Sequence, residues 1–188
     1  MLRSKPVVIN FLGEPGCGKS TASTYVFSKL KMLGINCEYV SEFMKDKVYE
    51  ENNVVPKYQE YVFGKQSFKL DRVKDKVDVI ITDSPLILSV LYNTDEVLGE
   101  DFNKVVVRKF NSFDNYNILL TRHHEYVKDG RFHNEKQSID LRTNLVNILK
   151  KYNIDYVVRD SNLDEYNKLV KDIIFYLKTE EFYDPDSD

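Results

Sequence analysis

The chain has 188 residues, 42% hydrophobic and 30% charged, a length that supports a single domain over residues 1–179 with a core that needs no disulfide help. Two cysteines, Cys17 and Cys37, exclude a disulfide framework, and no apolar run reaches the ~18 residues of a membrane span, so a soluble cytoplasmic protein without a membrane partner is expected. The net charge is −3, but the acidic tail of residues 180–188 alone carries −5, leaving the rest at +2, which lacks the basic footprint of a nucleic-acid binder.

The first element is the apolar run Val7–Leu12, which reads as a buried strand. It leads directly into "GEPGCGKST", Gly13 to Thr21, and the pattern G-x-x-x-x-G-K-[ST] falls on Gly13, Gly18, Lys19 and Ser20. Lys19–Leu33 follows as a helix with Ala22, Tyr25, Val26, Leu30 and Leu33 on one face and Gly34 as its stop. A strand, a glycine loop and a helix start in that order build a phosphate cradle. The glycines let successive backbone N–H groups of Gly13, Glu14, Gly16, Cys17 and Gly18 turn inward around Pro15, and the helix end adds its own donors. Lys19 would reach the β- and γ-phosphates of ATP, Ser20 would ligate Mg²⁺, and Thr21 would bond the α-phosphate.

A second strand is expected at Asn36–Val40, with Glu42 just past its end in "EYVSEFMKD". Pro56 opens a helix carrying Tyr61, Val62, Phe68 and Val73, and a third strand at Val77–Thr82 ends in "ITDSP" with Asp83. Both Glu42 and Asp83 therefore stand at the carboxyl edge of their strands, where open α/β sheets hold ligands. A carboxylate there holds Mg²⁺ or takes the proton of an attacking hydroxyl, and the residues alone do not say which of the two is the base.

Further along, a helix over "SPLILSVLY", a helix over Asp101–Phe113 and a strand over Tyr116–Thr121 are expected. The segment from about 122 to 136 then collects Arg122, Lys128 and Arg131, cations suited to closing over a phosphoryl group, together with His123, His124 and His133, which match no strong zinc spacing. A helix over Gln137–Tyr152, a strand over Ile154–Val158 and a helix over Leu163–Lys178, capped by Ser161 or Asn162, complete the chain. Strands separated by helices predict an α/β fold with a mainly parallel sheet covered on both faces. A GTPase is excluded: Asn103-Lys104 and Asn167-Lys168 do not continue into a base-reading motif, and Asp83 opens "DSPL" instead of a D-x-x-G switch.

These residues, "FLGEPGCGKST", "SEFMKD", "FGKQS", "ITDSPLILSVLY" and "TRHHEYVKDGR", give the chain a likeness over most of its length to about residue 160. It resembles the small phosphate-loop kinases of nucleosides and nucleotides, nearest to the nicotinamide riboside kinase-like ATPases and related phage-encoded kinases. The resemblance implies a three-layer kinase fold with a five-stranded sheet in the order 2-3-1-4-5, and a lid bearing Arg122 and Arg131. It places Glu42 and Asp83 on the acceptor side and makes Gln66 and Tyr92 substrate contacts. ATP and Mg²⁺ would be the donor and metal, a nucleoside- or nucleotide-like small molecule the acceptor, and the host cytoplasm the compartment of a phage-encoded member. Deoxynucleoside kinases usually carry Glu-Arg-Ser, and thymidylate kinases Asp-Arg, where this chain has Asp83-Ser84-Pro85. Two alternatives use the same loop: a kinase of a modified, 5-hydroxymethyl-pyrimidine type nucleotide within DNA, which the modest charge disfavours, and an ATPase serving as a regulatory binding module. The sequence leaves the oligomeric state open, a dimer being one state compatible with it.

Overall fold

The computed structural model describes residues 5–123 and 135–181. Five strands, β1 (Val7–Leu12), β2 (Cys37–Val40), β3 (Val79–Thr82), β4 (Asp114–Thr121) and β5 (Val157–Asp160), form one sheet in the order β2-β3-β1-β4-β5. Every pairing is parallel, with Ile9 of β1 in register with Ile81 of β3 on one side and Tyr116 of β4 on the other. All parallel strands exit toward the same edge, so the loops after β1, β2, β3 and β4 meet there.

The buried run of β1 divides by the period-two alternation of a strand. Val7, Ile9 and Phe11 join Val26 and Leu30 of helix α1 (Lys19–Met32) and Leu169 and Ile173 of helix α7 (Leu163–Glu181) in one core layer. Val8 and Leu12 face the other layer, with Leu70 of α3 (Gln59–Asp71), Val90 of α4 (Leu88–Tyr92), Phe102 and Val106 of α5 (Gly99–Phe110) and Leu145 and Leu149 of α6 (Glu135–Lys151). Asn10, the polar exception in β1, is buried but satisfied: its amide donates to Asn115 Oδ1 at 2.8 Å and Asn117 Oδ1 at 3.0 Å across to β4.

Gly34 ends α1 as expected. At φ 78° it donates to Lys31 C=O while Ile35 donates back to Leu30 C=O, the paired bonds that close a helix around a left-handed residue. Asn162 caps α7 by accepting from Glu165 N–H at 2.9 Å, and the Ser161 hydroxyl turns to Tyr166 instead. Several expected bounds shift, among them α4, which covers only Leu88–Tyr92 of "SPLILSVLY", and α5, which ends at Phe110. The last strand lies at Val157–Asp160, because residues 154–156 complete the turn out of α6 with Ile154 N–H bonded to Leu149 C=O. The helix expected from Pro56 is a 3-10 turn at Val55–Lys57 followed by α3, and a short helix, α2 (Met44–Tyr49), precedes it.

Candidate active site

The loop between β1 and α1 has three left-handed turns, at Gly13 (φ 143°), Gly16 (φ 83°) and Gly18 (φ 93°). At two of them space as well as dihedral requires glycine. A Cβ on Gly13 would lie 2.5 Å from Cys17 Sγ, and one on Gly18 would strike Ser161 Oγ. The first backbone bond of α1 runs from Ala22 N–H to Gly18 C=O at 2.9 Å. The N–H groups of Lys19, Ser20 and Thr21 therefore have no carbonyl four residues back inside the helix, and no side chain caps it. With no acidic residue in its first turn, this helix end keeps its positive dipole for an anion.

Lys19 bends back over the loop and donates to Gly13 C=O at 2.9 Å and Glu14 C=O at 3.0 Å, which holds its ammonium at the mouth of the cradle. Burial opposes that charge, but the surrounding acidic groups of Cys17, Tyr92, Glu42 and Glu14 outweigh it and keep the ammonium above the ordinary lysine range. Cys17 is fully buried, and desolvation pushes its thiol up, which suits a packing role within the loop better than a redox one.

Asp83, 2% exposed at the end of β3, ties the neighbouring elements together. Its Oδ2 accepts the Ser20 hydroxyl at 2.7 Å and its Oδ1 accepts Glu42 N–H at 3.0 Å. Glu42 is thus fixed by its own backbone beside Asp83. Burial pushes the Glu42 carboxyl up, against the pull of Lys19 and with the repulsion of Asp83. Gln66 of α3 is buried, and its amide brackets the loop that carries Glu42, accepting from Phe43 N–H at 3.1 Å and donating to Ser41 C=O at 3.4 Å. Lys69, one turn on, donates to Ser41 C=O at 2.5 Å. Tyr92, at the end of α4, completes the group: burial pushes its phenol up while Lys19 pulls it down and Glu42 adds to the rise.

Lys19, Ser20, Glu42, Gln66, Asp83 and Tyr92, spread over more than seventy residues of sequence, therefore converge at the carboxyl edge of β1, β2 and β3. Arg122, just past the end of β4, pairs with Glu135 at 2.8 Å. His123 pairs with Asp160 at 3.0 Å. Arg131, Lys128, His124 and His133 lie outside the described residues, and among the described residues no three His, Cys, Asp or Glu gather as a metal cluster.

Two residues absent from the sequence reading touch the loop from α6. Arg142 donates to Glu14 Oε2 at 2.9 Å, to Leu120 C=O at 2.6 Å and to Thr121 Oγ1 at 3.2 Å, and the Ser138 hydroxyl donates to Pro15 C=O at 2.8 Å. On the helix they are only polar positions one turn apart, and Arg142 is 128 residues from Glu14, so no local signal marks them.

The same span, from within β1 to the start of α7, matches a known family: residues 8–165 fit the AAA domain. The chain belongs to the AAA domain family. Solved structures share its fold at low identity. The NadR protein in complex with NR superposes with a TM-score of 0.68 at 14% identity over 92% of this chain, and the NadR protein in complex with NAD and AMP-PNP with 0.65 at 13%. The chain spans about half the length of these NadR structures, 52% and 50%. Thymidylate kinase from Ehrlichia chaffeensis gives 0.59 at 16% identity, covering 92% of this chain and 99% of its own. The YorR protein from Bacillus subtilis in complex with phosphorylated GDP gives 0.55 at 19%, covering 94% and 99%. No curated protein sequence matches the chain significantly. The architecture is thus the small phosphate-loop kinase fold, with the strand order that the resemblance implied. No described helix is long and apolar enough to cross a membrane.

Proposed function

We propose that this AAA-domain protein transfers the γ-phosphoryl group of ATP to a nucleoside- or nucleotide-like acceptor. The observation that carries the reading is the chain of contacts from the glycine loop through Ser20 and Asp83 to the Glu42 backbone, which supports a donor site next to an acceptor site. The fold neighbours that hold NR, AMP-PNP or phosphorylated GDP support it.

In this reading free amides of the loop and of the start of α1 hold the triphosphate, and Lys19 supplies positive charge at its outer end. Ser20 Oγ and Asp83 fit Mg²⁺, being hard oxygen donors 2.7 Å apart at the cradle mouth and few enough to leave room for water and phosphate ligands. The metal bound there would neutralise charge on the phosphates. Glu42 faces the acceptor, orients its hydroxyl and accepts the proton, while Asp83 keeps Glu42 in place. Gln66 positions that loop, Tyr92 walls the acceptor side, and Arg122 with Arg131 offsets the charge of the moving group. Catalysis is then mainly positioning and charge compensation.

The test is γ-labelled ATP incubated with nucleosides, nucleoside monophosphates, nicotinamide riboside and DNA, with products identified by mass. A labelled small-molecule product that Lys19→Ala does not form is expected. Release of inorganic phosphate with no phosphorylated acceptor would overturn the proposal in favour of a regulatory ATPase, and label found only on DNA would move the acceptor.

A further inference from the structure

A loop whose free amides are kept for an anion still has carbonyls and side chains that need partners of their own, and Cys17 N–H already bonds Glu14 C=O at 3.2 Å. Lys19 serves two of the carbonyls, those of Gly13 and Glu14. The Pro15 carbonyl and the Glu14 carboxylate, 7% exposed, are both served by α6. Ser138, fully buried, donates its hydroxyl to Pro15 C=O at 2.8 Å. Arg142, one turn further along the same helix face, pairs with Glu14 at 2.9 Å. The same guanidinium reaches Leu120 C=O and Thr121 Oγ1, so it joins the loop to the end of β4 immediately before Arg122.

The charges give this arrangement a consequence for binding. A buried carboxylate on Glu14 beside the cradle repels a triphosphate unless a cation neutralises it at short range. The four unspecified positions of the loop motif place no demand on Glu14 or Pro15. The first two of them here are Glu14 and Pro15, and α6 holds both.

We propose that Ser138 and Arg142 form a latch that holds Glu14 and Pro15 in place and so sets the affinity of the phosphate loop for nucleotide. They are positioning residues, acting through the loop and not on the substrate. The inference rests on the proposed use of the loop for ATP, but it concerns binding and not transfer.

Calorimetric titration with ATP and magnesium, beside thermal denaturation of each variant, tests it. In Arg142→Met the dissociation constant is expected to rise at least about tenfold, equivalent to about 1.4 kcal/mol. Ser138→Ala, which removes a single hydrogen bond, weakens binding by a few-fold. Arg142→Lys falls between wild type and Arg142→Met, because an ammonium keeps the pairing with Glu14 but cannot span all three acceptors with a planar fork. Should Arg142→Met fail to fold, Ser138→Ala and Arg142→Lys carry the test.

Folded variants that bind ATP within twofold of wild type, whatever their melting temperatures, would overturn the latch while leaving the kinase reading intact. Wild type that binds ATP and loses affinity in the variants but phosphorylates no acceptor would uphold the latch and overturn the kinase reading. Wild type that binds no ATP overturns both.

Discussion

Replacing Gly18 by alanine adds a methyl group to a residue that has two separate reasons to be glycine. Its φ of 93° carries the left-handed penalty of an L-residue, about 1–2 kcal/mol. The new Cβ would also strike Ser161 Oγ, which cannot easily yield because it is bonded to Tyr166 OH at 2.6 Å and its backbone N–H to Thr121 C=O at 2.9 Å. Overpacking of that kind adds about 1–3 kcal/mol. Gly34 is the internal control: its φ is 78°, and a Cβ there would meet nothing within 4 Å. Gly34→Ala should therefore cost only the dihedral penalty of about 1–2 kcal/mol, and Gly18→Ala about 2–5 kcal/mol. With a urea m-value of about 2 kcal/mol/M, the midpoints drop by about 0.5–1 M and 1–2.5 M respectively.

Ser161→Ala supplies the decisive background. Without the hydroxyl, the nearest atoms to the new Cβ are Tyr166 OH at 3.3 Å and the residue-161 Cβ at 3.5 Å. In that background Gly18→Ala should cost only the dihedral part, a coupling of about 1–3 kcal/mol between the two sites. Equal costs of Gly18→Ala with and without Ser161 Oγ would refute the steric argument.

Lys19→Ala should reduce phosphoryl transfer at least about a hundredfold while the far-ultraviolet circular dichroism stays native; near-normal turnover would remove Lys19 from the site. Gln66→Leu leaves Phe43 N–H without its carboxamide acceptor and weakens the hold on Ser41, so urea denaturation should show a loss of about 1–3 kcal/mol and turnover should fall as Glu42 loosens. Cys17 and Cys37 are both buried, and desolvation raises both thiols, that of Cys37 to about 11. At pH 8 native protein should not react with a disulfide reagent, whereas denatured protein should titrate two thiols, and rapid labelling of native Cys17 would contradict its packing role.

Several features of the site were legible because they are local. Gly13 to Thr21 are contiguous, and the apolar run before them and the helical period after them supply their context. Glu42 and Asp83 could be placed at the sheet edge because each follows an expected strand, and a parallel sheet sends all strand ends to one side. Gln66 was visible only through family likeness, since nothing in "FGKQS" shows that the residue is 3% exposed. Asn162 and Ser161 offered the same capping chemistry, and the packing of Ser161 against Tyr166 and Gly18 decided between them.

The sequence by itself determined the glycine loop between β1 and α1 and the alternation of strands with helices, since backbone dihedrals and hydrophobic period act over a few residues. Only the tertiary structure decided that the Ser20 hydroxyl and the Glu42 amide share Asp83, and that α6 grips the loop through Arg142 and Ser138. Such contacts join residues tens to more than a hundred positions apart, and their specificity lies in directional hydrogen bonds that form only after the sheet has brought its strand ends together.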